Sequence, residues 1–136
     1  MKFTAIDFET GCGRPESACA VAACTVENGR VVDTFSRLIR PPDPDFDFEM
    51  INIAIHGITP GMVRDEPGFD AVWDELHPRL ENTLVVAHWA PFDIKVLRAL
   101  VNYYELDYPP FRYACTCRMA RRAFPRLSNH KLNTVS

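Results

Sequence analysis

The first forty residues follow the pattern of three successive strands. Lys2 to Glu9 alternates apolar and polar side chains, as expected for a strand that buries one face. Residues 17–26 and 30–40 are rich in small, β-branched and other apolar residues and also favour strands. Asn28-Gly29 lies between these two runs and favours a tight hairpin turn. The pattern therefore predicts an antiparallel meander.

The middle of the chain changes to helical and buried-strand patterns. Pro41 to Glu49 is acidic and rich in proline, which cannot donate to a sheet ladder, so we expect a surface loop. Residues 69–80 place apolar side chains at spacings of three and four, which predicts an amphipathic helix. Residues 83–88 resemble a strand buried on both faces, and a helix is expected from Pro91 to Tyr104.

Three short elements are predicted near the end of the sequence. Residues 111–115 favour a strand, 116–124 a helix, and 131–136 the first turns of a further helix. Three hairpin-linked strands followed by strand–helix units predict an α/β fold, with a mixed, ribonuclease-H-like sheet and flanking helices. A length of 136 residues is typical of one domain. We expect a single domain over residues 1–136 that lacks its final helix.

The composition is that of a globular protein, with 47% hydrophobic and 24% charged residues. No apolar run approaches the roughly 20 residues that cross a bilayer, and charge appears too early for a secretory leader. We therefore expect a cytoplasmic protein without a membrane partner. The five cysteines are odd in number and form no Cys-x-x-Cys pair, which favours free thiols.

The charge is distributed unevenly, although the net charge is only −3. All 18 acids precede residue 112, whereas residues 112–136 contain six basic residues. This basic segment is either a solvated helical face or a phosphate-contacting surface beside an acidic site.

Two acids stand two positions apart in the first predicted strand. Asp7 and Glu9 then project from the same face, where their charges repel unless a cation neutralises them. The alternative is that both lie on the solvent face of an edge strand. Asp93 opens a predicted helix after the fourth strand and approaches the pair if strands one and four are neighbours. Its alternative role is a favourable charge at a helix N-terminus.

Three ordered motifs resemble the DEDD (DnaQ-like) superfamily of 3′-to-5′ exonucleases, which includes the proofreading epsilon subunit of bacterial DNA polymerase III. The matching segments are Phe3-Thr-Ala-Ile-Asp7-Phe-Glu9-Thr10, His56-Gly-Ile-Thr59, and Ala87-His88 with Phe92-Asp93. The resemblance extends along essentially the whole chain. It implies cleavage of phosphodiester bonds at single-stranded 3′ ends, DNA rather than RNA, with a DNA polymerase as an expected partner.

The resemblance also implies roles for individual residues. Asp7, Glu9 and Asp93 would be catalytic and would hold two divalent ions, Mg²⁺ or Mn²⁺. Pairs of such ions are suited to the chemistry of phosphoryl transfer. Phe8, Thr10, His56 and Phe92 would contact the substrate, with Thr10 at the terminal sugar and the last two beside the final nucleotide. His56 alternatively belongs only to a turn after a short helix. For His88 a local structural role is favoured.

The third family motif, a catalytic histidine followed by a fourth metal-binding acid, has no counterpart here. No Asp or Glu follows Asp107, and His130 precedes the last predicted helix, so it is not assigned as general base. We therefore expect a truncated domain with impaired activity, whose uncovered apolar sheet face favours self-association. Two alternatives remain open, a catalytically inactive module that binds a nucleotide or a partner, and an RNA-trimming exoribonuclease.

Overall fold

The computed structural model describes residues 1–43 and 47–135, so residues 44–46 of the predicted proline-rich loop, and Ser136, lie outside the described residues. The strands are β1 (Lys2–Thr10), β2 (Ala18–Glu27), β3 (Arg30–Leu38), β4 (Leu84–Ala87) and β5 (Arg112–Cys115). The helices are α1 (Met50–His56), α2 (Pro60–Val63), α3 (Phe69–Leu80), α4 (Ala90–Tyr103), α5 (Thr116–Ala123) and α6 (Leu132–Val135), with a 3₁₀ turn at Pro15–Ser17.

The strands form one mixed sheet in the order β3-β2-β1-β4-β5. The first three strands are antiparallel, whereas β4 pairs in parallel with both β1 and β5. The predicted mixed α/β fold is therefore confirmed, and the first and fourth strands are neighbours, which was the condition for Asp93 to approach the other acids. In the β2–β3 turn, Asn28 and Gly29 have φ angles of 52° and 79°, as the right-handed twist of a tight hairpin requires.

One continuous core forms between the sheet and the two long helices. The apolar stripe predicted for α3 is entirely buried, and α4 contributes a second stripe. Ile6 and Phe8 of β1 join these stripes in the same hydrophobic cluster. Burying such side chains is the main favourable contribution to folding. The core therefore fixes the start of α4 against β1, where the candidate acids lie.

The other face of the sheet is only partly covered. It borders a cavity of about 630 Å³, whose lining includes Phe3, Ala5, Asp7, Cys24 and His88. The self-association expected through this face stays a prediction. The five cysteines carry no disulfide, as predicted. No helix within the described residues is both long and apolar enough to span a bilayer.

Candidate active site

The carboxyl end of β1 supplies two acids and a buried aromatic residue. Burial alternates along the strand, so Asp7 lies at the surface, Glu9 is half-buried, and Phe8 between them faces the core. The ring of Phe8 is only 1% exposed and packs 6.2 Å from the ring of Phe69. The expected substrate contact of Phe8 stays a prediction, and its ring is enclosed in the core.

Asp93 reaches this strand from the first turn of α4. The parallel pairing of β1 with β4 places the N-terminus of α4 beside the carboxyl end of β1. The backbone N–H of Phe8 donates to Asp93 Oδ1 at 2.9 Å, a contact between residues 85 positions apart. The Asp93 side chain is 2% exposed. The structure thus brings the three predicted acids to one end of the sheet.

Burial raises the pKa of all three acids, and neighbouring carboxylates add to the rise for Asp93 and Glu9. Burial raises the pKa of Asp93 to about 7; the Asp7 and Glu9 carboxylates contribute to the rise, while the Phe8 N–H opposes it. Burial also raises the pKa of Glu9, with a further contribution from Asp7. Neighbouring protein atoms partly desolvate Asp7 and raise its pKa. Perturbed acids gathered in one place are typical of functional sites.

The donor chemistry of these acids fits a hard divalent ion. Carboxylate oxygens are the ligands that Mg²⁺ and Mn²⁺ prefer, and mutual repulsion is the condition that a cation relieves. Within residues 1–43 and 47–135, however, no group of three or more His, Cys, Asp or Glu side chains is gathered closely enough to bind a metal ion. By donor type and charge the three acids fit such an ion, whereas their spacing in this structure is not that of a metal site.

The end of β1 is held in place by two side chains from α1. Asn52 Nδ2 and His56 Nε2 each donate to the Thr10 carbonyl oxygen at 3.0 Å. His56 Nδ1 accepts the Ile58 N–H at 3.0 Å, which fixes the neutral tautomer with the proton on Nε2. A register shift between Glu9 and Thr10 marks a bulge here, a device that re-aims side chains beside active sites.

Sequence reasoning missed Asn52. Its signal was available, because Asn52 and His56 are four residues apart and therefore share one face of a helix. The sequence suggested only a short helix of unstated bounds before the turn at His56, so Asn52 was not assigned to it.

Thr10 and Phe92, both predicted to contact substrate, border a common cavity. Its volume is about 220 Å³, and Asn52, Glu49 and Lys95 also contribute to its lining. Phe92, at the start of α4, is 41% exposed. The cavity places an exposed aromatic ring and a cationic side chain beside the end of β1.

The other two histidines noted in the sequence have partners within the protein. His88 Nε2 donates to the His130 carbonyl oxygen at 2.6 Å, and His88 Nδ1 lies 3.0 Å from Thr116 Oγ1. His130 Nε2 donates to the Phe124 carbonyl oxygen at 2.8 Å. These contacts agree with a structural role for His88 and give His130 no place beside the acids.

Comparison with known proteins relates this arrangement to nucleases. A family model described as exonuclease (RNase_T) matches residues 4–136. PolC-type DNA polymerase III from Halalkalibacterium halodurans is 31% identical over 115 residues, covering 85% of this chain and 8% of that protein. The 3′-5′ exonuclease DinG of Bacillus subtilis is 29% identical over 141 residues, covering 100% of this chain and 15% of that protein. The chain thus corresponds to a small part of these relatives.

Solved structures of exonucleases are also similar to this chain. Exonuclease X in complex with 5′ overhanging duplex DNA aligns with a TM-score of 0.73 at 31% identity, over 93% of this chain and 67% of that one. Exonuclease I shares the fold, with a TM-score of 0.84 at 18% identity over 98% of this chain and 36% of that one. The predicted resemblance is confirmed, and the chain belongs to the exonuclease family.

Proposed function

We propose that this chain is a metal-dependent 3′-to-5′ exonuclease domain that hydrolyses phosphodiester bonds at single-stranded 3′ ends, with DNA preferred over RNA. The observation that carries the proposal is the hydrogen bond from the Phe8 N–H to Asp93 Oδ1, since it joins the acids of β1 to the acid of α4. The family match over residues 4–136 supports the reaction class.

Asp7, Glu9 and Asp93 are the residues that would hold two divalent ions, Mg²⁺ or Mn²⁺. When bound, such ions stabilise the attacking and leaving oxygens of an in-line displacement at phosphorus and lower the pKa of a bound water. The protein contributes the orientation of the acids. The Phe8 N–H fixes one oxygen of Asp93. The hydrogen bonds from Asn52 and His56 to the Thr10 carbonyl oxygen fix the end of β1.

Phe92 and Thr10 would receive the terminal nucleotide. The exposed Phe92 ring can stack on any base, because every base has a π-face, so selection would favour a free end over a sequence. Thr10 borders the same cavity and would meet the terminal sugar. Both ring nitrogens of His56 bond within the protein, so its proposed contact with the last nucleotide would come from the ring carbons.

The preference for DNA and the association with a polymerase rest on the relatives. One of them is named as a DNA polymerase III, and one matching structure holds DNA. We propose the same class of substrate for this chain, and a DNA polymerase as its partner.

The test is incubation of a 5′-labelled single-stranded oligonucleotide with the protein and Mn²⁺. The label reports the length of the remaining strand, and the released nucleoside monophosphates are identified separately. We expect weak shortening from the 3′ end, because no acid follows Asp107 to supply the fourth metal ligand of the family, and loss of that activity in Asp93→Asn. Asp74→Asn is the matched control, because Asp74 is exposed on α3 and the substitution makes the same change of charge. Equal activity of both variants would contradict the proposal.

The two alternatives are separated by the same assay. Binding of the oligonucleotide without any release of nucleotides would identify an inactive binding module. Faster shortening of an RNA strand than of a DNA strand of the same sequence would identify an RNA-trimming enzyme.

A further inference from the structure

Helix α5 presents arginines beside the candidate active site. Arg118, Arg121 and Arg122 are exposed on this helix, in the segment after residue 111 that contains no acid. In the part of the chain that the structure describes, ion pairs join Arg37 to Glu75 and Arg79 to Asp33, and neither involves α5. The guanidinium groups of α5 are thus available to an external anion.

Two of these arginines converge on an exposed tryptophan. The guanidinium carbons of Arg118 and Arg121 lie 5.7 Å and 5.3 Å from the centroid of the Trp89 ring. The two arginines are three residues apart and therefore share one face of the helix. A guanidinium held over an aromatic ring keeps N–H groups at its edge for a phosphate. Trp89, Arg118 and Arg121 are called the tryptophan–arginine cluster below.

The backbone of Trp89 is unusual for so large a residue. Its φ and ψ angles are 61° and 60°, in the left-handed region that bulky side chains rarely adopt. Such a conformation costs free energy and persists where the surrounding structure imposes it, often at functional sites. The Trp89 ring nevertheless remains 43% exposed. The fold therefore holds an aromatic surface in solvent instead of burying it.

The cluster adjoins the residues proposed to bind the terminal nucleotide. Trp89 immediately precedes α4, and its carbonyl oxygen accepts the N–H of Phe92 at 3.1 Å. Asp93 is the next residue of the same turn. A strand whose last nucleotide lies at Phe92 and Asp93 would therefore pass close to Trp89.

We propose that the tryptophan–arginine cluster binds a single-stranded nucleic acid next to its 3′-terminal nucleotide. A base packs on the exposed part of the Trp89 ring, and Arg118 and Arg121 bind the adjoining phosphate through charge-assisted hydrogen bonds. An acidic protein would satisfy the arginines but not the exposed ring, so a nucleic acid fits the cluster better. The position along the strand rests on the proposed function, whereas binding of the strand does not require cleavage.

The test is oligothymidylate binding in EDTA, where metal-dependent cleavage is blocked. The chain has two tryptophans, and Trp73 is only 5% exposed, so quenching of fluorescence by the oligonucleotide reports mainly on Trp89. We expect quenching in the wild-type protein and its loss in Trp89→Ala, with affinity about 10-fold lower by anisotropy. Arg118→Ala and Arg121→Ala should each reduce the slope of log affinity against log salt by about 0.7.

Arg122→Ala is the matched control. The variant removes the same charge from the same helix, but Arg122 is not one of the two arginines that lie over the Trp89 ring. The affinity of Arg122→Ala for the oligonucleotide should therefore stay within about twofold of wild type. Thermal melts of each variant check folding, and the two single arginine variants test the cluster independently of Trp89. Unchanged affinity in Trp89→Ala, an equal loss in Arg122→Ala, or equally tight binding of polyglutamate would overturn the inference.

The outcomes separate this inference from the proposed function. Cluster-dependent binding by a protein that releases no nucleotides would support the inference and contradict the nuclease. Release of nucleotides by a protein whose Trp89→Ala variant binds the strand as tightly as wild type would overturn the inference alone.

Discussion

The Phe8 backbone N–H donates to Asp93 Oδ1 at 2.9 Å and joins the first strand to the fourth helix. Both groups are buried, so the bond satisfies a donor that water cannot reach. The same bond orients the Asp93 side chain toward the end of β1, where Asp7 and Glu9 lie. One contact therefore contributes both to packing and to the assembly of the candidate site.

Removing the side-chain oxygen of Asp93 that accepts the Phe8 N–H should lower the free energy of unfolding more than removing only the charge of Asp93. Asp93→Asn keeps a side-chain oxygen for the Phe8 N–H, whereas Asp93→Ala leaves that buried donor unpaired, which costs about 1–3 kcal/mol. We expect Asp93→Ala to have the lower free energy of unfolding of the two, measured by urea denaturation of the metal-free protein. Equal values for the two variants would show that the hydrogen bond does not contribute to stability.

Stability of the metal-free protein should fall as the pH rises. The Asp93 carboxyl group has an ordinary pKa of 3.8 when unfolded, and burial raises its pKa to about 7 in the folded state. Between these values the folded state binds more protons, so the favourable contribution is complete below about 3.8 and is lost by about 7. The raised pKa values of Asp7 and Glu9 act in the same direction.

Thermal melts in EDTA across this pH range measure the effect. Asp93→Asn does not titrate, so its melting temperature should depend less on pH than that of the wild-type protein. A wild-type melting temperature that rises from pH 4 to pH 7 in parallel with the variant would contradict the assigned direction.

The two donors to the Thr10 carbonyl predict a loss of stability for two variants of α1. We expect a lower free energy of unfolding by about 1 kcal/mol in Asn52→Ala and by more in His56→Ala, because the latter also removes the acceptor of the Ile58 N–H. Ile55→Ala is a control on the same helix, because Ile55 is 77% exposed. Urea denaturation compares the three variants. A larger loss for Ile55→Ala than for the other two would show that α1 does not act through Thr10.

Local patterns account for the parts of the fold that sequence predicted well. The apolar spacing in α3 and the Asn28-Gly29 turn are properties of neighbouring residues, and both appear as expected. The approach of Asp93 to β1 followed from the general rule that sites gather at strand ends. Strand order, however, had to be assumed until the structure supplied it.

The placement of the site residues also has physical causes. Phe8 lies between Asp7 and Glu9, so the alternation that places the acids on one face places its ring on the other. Asn52 lies in a seven-residue helix whose bounds were not predicted from the sequence, and Trp89 depends on a left-handed backbone before α4 that no local pattern indicated.

The most direct test of the account is a crystal structure of the protein grown with Mn²⁺, with anomalous difference density used to locate the ions. The account predicts peaks within coordination distance of Asp7, Glu9 and Asp93 in the wild-type protein. It predicts weaker or missing peaks in Asp93→Asn and unchanged peaks in Asp74→Asn. Saturating Mn²⁺ without a peak among these three carboxylates, or with peaks only elsewhere, would contradict the central claim.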